Sequence, residues 1–254
     1  MFKEKSMKIN IVSSDKRYEL LNSIFLDNGY DSNLSTPCSC GECDVLVLSV
    51  RNEFTEDELG CILGKISETT TVFCGNLPVV KKYFNGRIVD YSANEAFVQK
   101  NAYLTAEGTI SYLHSLIKEA LCGKNVLVSG YGRIGSTLCR LLKGLGAVVF
   151  AYARREESIE QMKNDGIAYL HYTDARKMDV IVNTVPFNLF TEDVMKGLSS
   201  KTQLVELASW PYGFSDMSRV NLASGIPGKV LPLSAARAVY DTITSYFPFR
   251  RADK

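Results

Sequence analysis

The sequence contains no apolar run approaching the roughly 20 residues needed to span a bilayer, and no hydrophobic segment follows the lysines of "MFKEKSMKIN". A membrane role is not expected, and a cytoplasmic setting is. Nor is one sign of charge in excess: 29 Lys and Arg stand against 28 Asp and Glu, a formal net charge of +1. Without a basic field, no nucleic-acid partner is expected. Histidine is scarce. His114 and His171 have no partner spacing that marks a triad or a metal pair, and both read as packed or solvent-facing. No serine or cysteine stands in a nucleophile-elbow pattern. The seven cysteines are odd in number and scattered, which suits reduced thiols better than a disulfide framework. Cys38, Cys40 and Cys43 cluster in "PCSCGEC", but no second cluster accompanies them. They read as a polar loop carrying thiols, and no metal site is expected.

What is present is a chain of 254 residues, 46% hydrophobic and 22% charged, enough to bury the core of one large or two small domains. Strand and helix patterns alternate along it. "MKINIVSS" gives a strand from Lys8 to about Val12, then a helical pattern runs from Arg17 to Asp27 and stops at "NGY". "DVLVLSV", Asp44 to Val50, is apolar almost throughout and reads as a strand buried on both faces. Thr55 and Glu58 have capping-box spacing before a short helix, and "TTTVFCGN" and "GRIVDYS" continue the alternation. These segments predict an N-terminal α/β domain over 1–100. A connecting helix is expected from Leu104 to Leu121, within a joining segment 101–122, with Gly123 as its stop. Residues 123–254 then read as strand "NVLVSG", helix Arg133–Leu145, strand "AVVFAYA", helix Ser158–Asn164, strands "MDVIVNT" and "TQLVELAS", and a last helix from Ser234 to Tyr246. Such alternation implies right-handed crossovers and doubly wound parallel sheets. The fold class is therefore α/β, a Rossmann domain at the C-terminal side and a smaller flavodoxin- or Rossmann-like domain before it.

"GYGRIG" places Gly130, Gly132 and Gly135 in the spacing G-x-G-x-x-G between an apolar strand and an amphipathic helix, the context that the dinucleotide motif requires. Gly130 would permit the turn, Gly132 the approach of a pyrophosphate to the backbone, and Gly135 close packing of helix on strand. N–H groups at the helix start, around Arg133 and Ile134, would receive the phosphate charge. A carboxylate about 20 residues beyond such a motif normally accepts the adenosine ribose hydroxyls of NAD. Nineteen residues after Gly135 this chain has Arg154, followed by Arg155. Two guanidiniums suit a 2′-phosphate, so the expected cofactor is NADP(H), with NAD(H) disfavoured. Charge-assisted hydrogen bonds of about 1.5 to 3 kcal/mol each make the expected preference roughly tenfold to hundredfold. The alternative is that the arginines pair locally with Glu156, Glu157 and Glu160.

Several segments, in their order and spacing, resemble the family of the dipicolinate synthase A subunit: "NAYLTAEGTI", "GYGRIGSTLCRLLKGLGAVVFAYARR", "VNTVPFNLF", "LVELASWPYGFSD" and "ASGIPGKVLPLSAA". The resemblance covers roughly residues 100 to 245 and extends to the first domain only by architecture. It implies formation of pyridine-2,6-dicarboxylate from a hydroxylated tetrahydrodipicolinate, which loses water and then two hydrogens, with NADP+ as hydride acceptor. It further implies a partner, the synthase's flavoprotein-like B subunit, and the mother cell of a spore-forming bacterium as the setting. A homo-oligomer is also expected.

In an open α/β sheet the ligand lies beyond the carboxyl ends of the strands, where strand order reverses. Thr184, Val185 and Pro186 would line the nicotinamide-ribose side, with Ala208 and Ser209 opposite. Asn101, Thr105 and Glu107 enter from the connecting helix, Asn101 towards substrate and the other two as catalytic candidates. Thr105 has an alternative role as helix N-cap. Glu107 is either an acid or base, or an early-helix carboxylate favoured by the dipole. Trp210, Pro227, Gly228 and Lys229 are the remaining candidate substrate residues.

A dicarboxylate needs cations, and here the chain departs from the family. "LASWPYG" stands where the family reads L-A-S-R-P-G-G, and Leu233 in "VLPLSAA" replaces a lysine. Lys229 and Arg237 are candidate replacements, with solvated surface positions as the alternative. Two further readings therefore accompany the oxidoreductase: a dehydrogenase or S-adenosylhomocysteine-hydrolase-like enzyme acting on another substrate, and a non-catalytic NADP-binding partner or sensor. The hydrolase normally carries an acid where Arg154 stands.

Overall fold

The computed structural model describes residues 7–247 apart from 52 and 76. The chain divides into two compact units, residues 1–101 with 231–254, and residues 102–230.

The first unit contains β1 (Lys8–Val12), α1 (Lys16–Asp27), β2 (Asp31–Ser35), β3 (Val45–Leu48), α2 (Glu56–Leu63), β4 (Thr71–Cys74), α3 (Leu77–Val80) and β5 (Ile88–Asp90). Its sheet is parallel with order β2-β1-β3-β4-β5, the flavodoxin-like 2-1-3-4-5 arrangement. β3 and β4 are buried along their whole length, as strands covered on both faces must be. The capping box of α2 forms: Thr55 Oγ1 accepts from Glu58 N, and Glu58 Oε2 accepts from Thr55 N.

α4 (Glu95–Ile117) differs from its expected bounds. It starts well before Leu104, because Asn94 Oδ1 accepts from Phe97 N at 2.9 Å and caps it there. It ends before Leu121, because Lys118 adopts a φ of 56°. Gly123 instead occupies the turn into the next strand, its N–H donated to the Gly146 carbonyl.

The second unit contains β6 (Asn125–Ser129), α5 (Arg133–Gly144), β7 (Val148–Tyr152), α6 (Glu156–Asn164), β8 (Ala168–Tyr169), β9 (Val180–Asn183), α7 (Glu192–Lys196), β10 (Gln203–Glu206), β11 (Val220–Leu222) and α8 (Ile226–Val230). The sheet order is β11-β10-β9-β6-β7-β8, all parallel. Counted within the unit this is the 3-2-1-4-5-6 order of the Rossmann fold. Alternation along β6 sends Val126 and Val128 to one core with Leu138 and Leu142 of α5, and Leu127 to the other with Ile181, Leu204 and Phe190.

The last helix, α9 (Pro232–Ser245), follows the Rossmann unit in sequence but packs in the first unit, against α1. Its Tyr240 ring lies 5.1 Å from Phe25, and Tyr246 beyond it lies 5.6 Å from Phe73. The run Ala235, Ala236, Val239 and Ile243 forms its buried face, and grouping by chain order alone places it in the wrong unit. No helix among the described residues is long and apolar enough to cross a membrane.

Candidate functional site

The three glycines between β6 and α5 meet three different demands. Gly130 has a φ of +99°, a region that L side chains rarely adopt, and a Cβ there would overlap Thr184 Oγ1 and crowd Val185. Its N–H donates to the Tyr152 carbonyl at 2.8 Å, joining the turn to the end of β7. A Cβ on Gly135 would overlap the Gly130 carbonyl oxygen, so the helix can lie against its own strand only without one. Around Gly132 the space is open to 4 Å, and α5 starts there with no side-chain cap. The positive end of this helix is left for an outside anion.

A groove of about 330 Å³ runs over the turn. One wall is Tyr152, Ala153, Arg154 and Arg155 after β7, with Ser158 of α6. The other is Thr184, Val185 and Pro186 after β9, with Leu189. Its floor, Gly130 to Gly132, follows β6, the strand at which the order reverses. Among the described residues no carboxylate lines it. The Arg154 guanidinium lies 5.3 Å from the centre of the Phe187 ring. Among the described residues no ion pair joins Arg154 or Arg155 to Glu156, Glu157 or Glu160. A dinucleotide therefore fits on three counts: a turn shaped by the absence of Cβ atoms, an uncapped helix start, and cations where the adenosine ribose would lie.

Beneath the groove, Ser129, Asn183 and Glu206 sit side by side in the register of β6, β9 and β10, all fully buried. Ser129 Oγ donates to Asn183 Oδ1 at 2.7 Å, and Asn183 Nδ2 donates to Glu206 Oε1 at 2.7 Å. The other donors to Glu206 are backbone: Ala208 N to Oε1 at 2.9 Å and Gly213 N to Oε2 at 2.7 Å. Burial pushes the Glu206 carboxyl above the usual range, against the pull of these three donors.

The groove thus brings together Gly130, Gly132, Arg154, Arg155, Thr184, Val185 and Pro186 of the residues singled out in the sequence. Arg133, Ile134 and Gly135 belong to the start of α5 just behind it. Ala208 is buried with its amide on Glu206, whereas Ser209 is exposed and Trp210 is 81% exposed. Pro227 and Gly228 are buried in α8; Lys229 of the same turn is exposed, as are Leu233 and Arg237.

Two alternatives raised for α4 do not hold. Thr105 is not an N-cap but an interior, buried residue, its carbonyl accepting from Thr109 Oγ1 at 2.7 Å. Glu107, exposed, is about three turns into α4, so the dipole of a first turn does not account for it. Asn101 is half-buried in the same helix.

His171 is held locally, with Nδ1 2.8 Å from Thr173 Oγ1 and its ring stacked on Tyr172. Of the cysteine loop, Cys38 is exposed, Cys40 is buried beside Asn10, and burial pushes the Cys43 thiol up to about 12. Sequence reasoning missed Tyr131, Tyr152, Ser158, Phe187 and Leu189 around the groove, and Glu206 beneath it. Only Glu206 carried a usable signal, an acid inside the apolar run "LVELA".

Residues 92–206 match the family described as D-isomer specific 2-hydroxyacid dehydrogenase, NAD binding domain. Over 154 residues, 57% of the chain, the sequence is 28% identical to the A subunit of dipicolinate synthase of Bacillus subtilis (strain 168). That alignment spans 52%, about half, of the relative's own length. The solved structure of the dipicolinate synthase A subunit from Bacillus halodurans superposes with a TM-score of 0.77 at 23% identity, over 97% of this chain and 100% of that one. The Bacillus subtilis structure gives 0.75 at 20% identity, over 96% of each. The chain is thus an α/β protein with a nicotinamide-nucleotide-binding Rossmann domain, similar in sequence and fold to the A subunit of dipicolinate synthase.

Proposed function

We propose that the chain is an NADP(H)-dependent oxidoreductase that dehydrogenates a hydroxylated tetrahydrodipicolinate-type cyclic imino dicarboxylate towards dipicolinate. The observation that carries the cofactor choice is the end of β7: Arg154 and Arg155 line the groove, and among the described residues no carboxylate does. Bound NADP+ supplies the hydride acceptor. The chain's part is to seat the pyrophosphate on the start of α5, hold the 2′-phosphate at Arg154 and Arg155, and confine the nicotinamide half between Thr184–Pro186 and the Ala208–Ser209 segment. Glu107 is the proposed acid or base, with Thr105 and Asn101 on the same helix. Trp210, Lys229 and the neighbouring Pro227–Gly228 turn stand on the substrate side. The flavoprotein-like B subunit of a dipicolinate synthase is the proposed partner, in the cytoplasm of a sporulating mother cell.

Calorimetric titration with NADP+ and NAD+ side by side tests the cofactor. NADP+ is expected to bind roughly tenfold to hundredfold more tightly. Equal affinities, or a preference for NAD+, overturn the proposal. Pyridine-2,6-dicarboxylate added to the NADP+ titration tests the substrate class, and tighter NADP+ binding in its presence is the expected result. A second reading, a nucleotide-binding partner or sensor, draws its support from Trp210 and Leu233, apolar residues where basic ones belong in the family resembled. It is favoured if NADP+ binds with the expected preference but indifferently to the dicarboxylate.

A further inference from the structure

Glu206 is a buried acid with no cation. Among the described residues no Lys, Arg or His lies within ion-pair distance of it, and its exposure is zero. Such a charge is costly to bury and persists only where its hydrogen bonds are complete. Here all three partners are N–H donors, which a carboxylate accepts in full, whereas the O–H of a protonated carboxyl would find no acceptor among them. The donors come from two places. The amides of Ala208 and Gly213 belong to the loop after β10. Asn183, at the end of β9, also donates from Nδ2 to the Val185 carbonyl at 2.8 Å and accepts from Val185 N at 3.2 Å. Val185 is groove wall.

We propose that Glu206 is a positioning residue for the nicotinamide half of the cofactor, its carboxylate tying the loop after β10 to the wall after β9. The inference rests on the NADP(H) reading for which half of the ligand these two segments face. Glutamine cannot replace the carboxylate: it has one acceptor oxygen, and its NH2 would confront the Gly213 or Ala208 N–H. Gly213→Ala disturbs the same junction while keeping the Glu206 carboxylate itself, because its Cβ would overlap the Asn183 amide that donates to it.

The test compares NADP+ with adenosine 2′,5′-bisphosphate, which lacks the nicotinamide half, on the parent protein, E206Q and G213A. Both variants are expected to weaken NADP+ roughly tenfold while changing adenosine 2′,5′-bisphosphate by less than about twofold. Equal loss for the two ligands, or none for either, overturns the inference. If the parent binds neither ligand, it is the NADP(H) reading that has failed. Two ligand-free readouts then still decide the positioning role. The Ala208 and Gly213 amides should exchange slowly with solvent in the parent, and fast exchange there overturns it whether or not the variants fold. Trp210, the chain's single tryptophan, sits in the tied loop. Its fluorescence anisotropy should fall in E206Q, and an unchanged value counts against the tie.

Discussion

The two units place the same turn in the same position and finish it differently. Each has a parallel sheet whose first strand lies inside the order and leads directly into a helix. In the first unit the turn is Ser13-Ser14-Asp15, and Asp15 caps α1: Oδ1 accepts from Arg17 N at 2.9 Å, and Oδ2 binds the buried Arg17 guanidinium at 2.8 Å. The helix start is filled by the chain's own carboxylate. In the second unit the turn is Gly130-Tyr131-Gly132, α5 has no side-chain cap, and a groove opens over it. A doubly wound sheet offers a place for an anion at such a turn. Whether a ligand can take that place depends on whether a side chain already has.

The largest effect that tests this contrast is expected at Gly130. Alanine there must adopt a φ of +99° and overlap Thr184 Oγ1. Strain of about 1–3 kcal/mol and overpacking of about 1–3 kcal/mol act together, so G130A should lose NADP+ binding by about hundredfold or more. Titration calorimetry on folded variant checks it, and affinity retained within about threefold would detach the turn from the ligand. Asp15→Ala is the counterpart in the first unit. Losing the cap costs about 1 kcal/mol, and stripping a buried Arg17 of its partner adds to that, for roughly 2–3 kcal/mol in denaturant unfolding. NADP+ affinity should stay within about twofold. A ligand effect as large as that of G130A would mean that the two turns are not divided in role.

The same contrast shows what could be read in the sequence. β1, β3, β6, β9 and β10 were legible because interior strands of a parallel sheet are covered on both faces and read as apolar runs. β2, β8 and β11 were not, and all three are edge strands with exposed positions, recruited by backbone pairing to a neighbour. The glycine turn was legible since its demands are local. The start of α4 was not: "LTAEG" imitates a helix start, whereas the cap that acts is Asn94, fixed by its bond to Phe97 N. Arg154 could be placed by counting from Gly135, but Phe187 beneath it comes from the loop after β9, more than thirty residues on, and no spacing rule reaches it. Glu206 carried a signal, an acid within an apolar strand, but its three donors come from β9 and the loop after β10 and could not be read from that run.

Arg154→Asp sharpens the comparison by making the second unit resemble the first, with a carboxylate beside the anion's place. NADP+ affinity is expected to fall roughly tenfold to hundredfold, and NAD+ to bind as well as in the parent or better. NADP+ binding as tight as the parent's would remove the basis for the cofactor assignment.

The smallest effect is expected at Phe187. Its ring, 52% exposed, lies under the Arg154 guanidinium at 5.3 Å, an exposed cation–π pair of about 0.5–1 kcal/mol. In the first unit Arg17 Nε and Nη2 both donate to one carboxylate oxygen, Asp15 Oδ2; in the second, Arg154 is steadied by an aromatic face instead, which leaves its N–H groups for a phosphate. Phe187→Ala should therefore weaken NADP+ by about twofold to fivefold, at 1.4 kcal/mol per tenfold, and leave NAD+ within about twofold. Phe187→Tyr, which keeps the π face, should restore the parent's ratio. Equal weakening of both nucleotides would instead make Phe187 a wall of the groove, and the selectivity would rest on the guanidiniums alone.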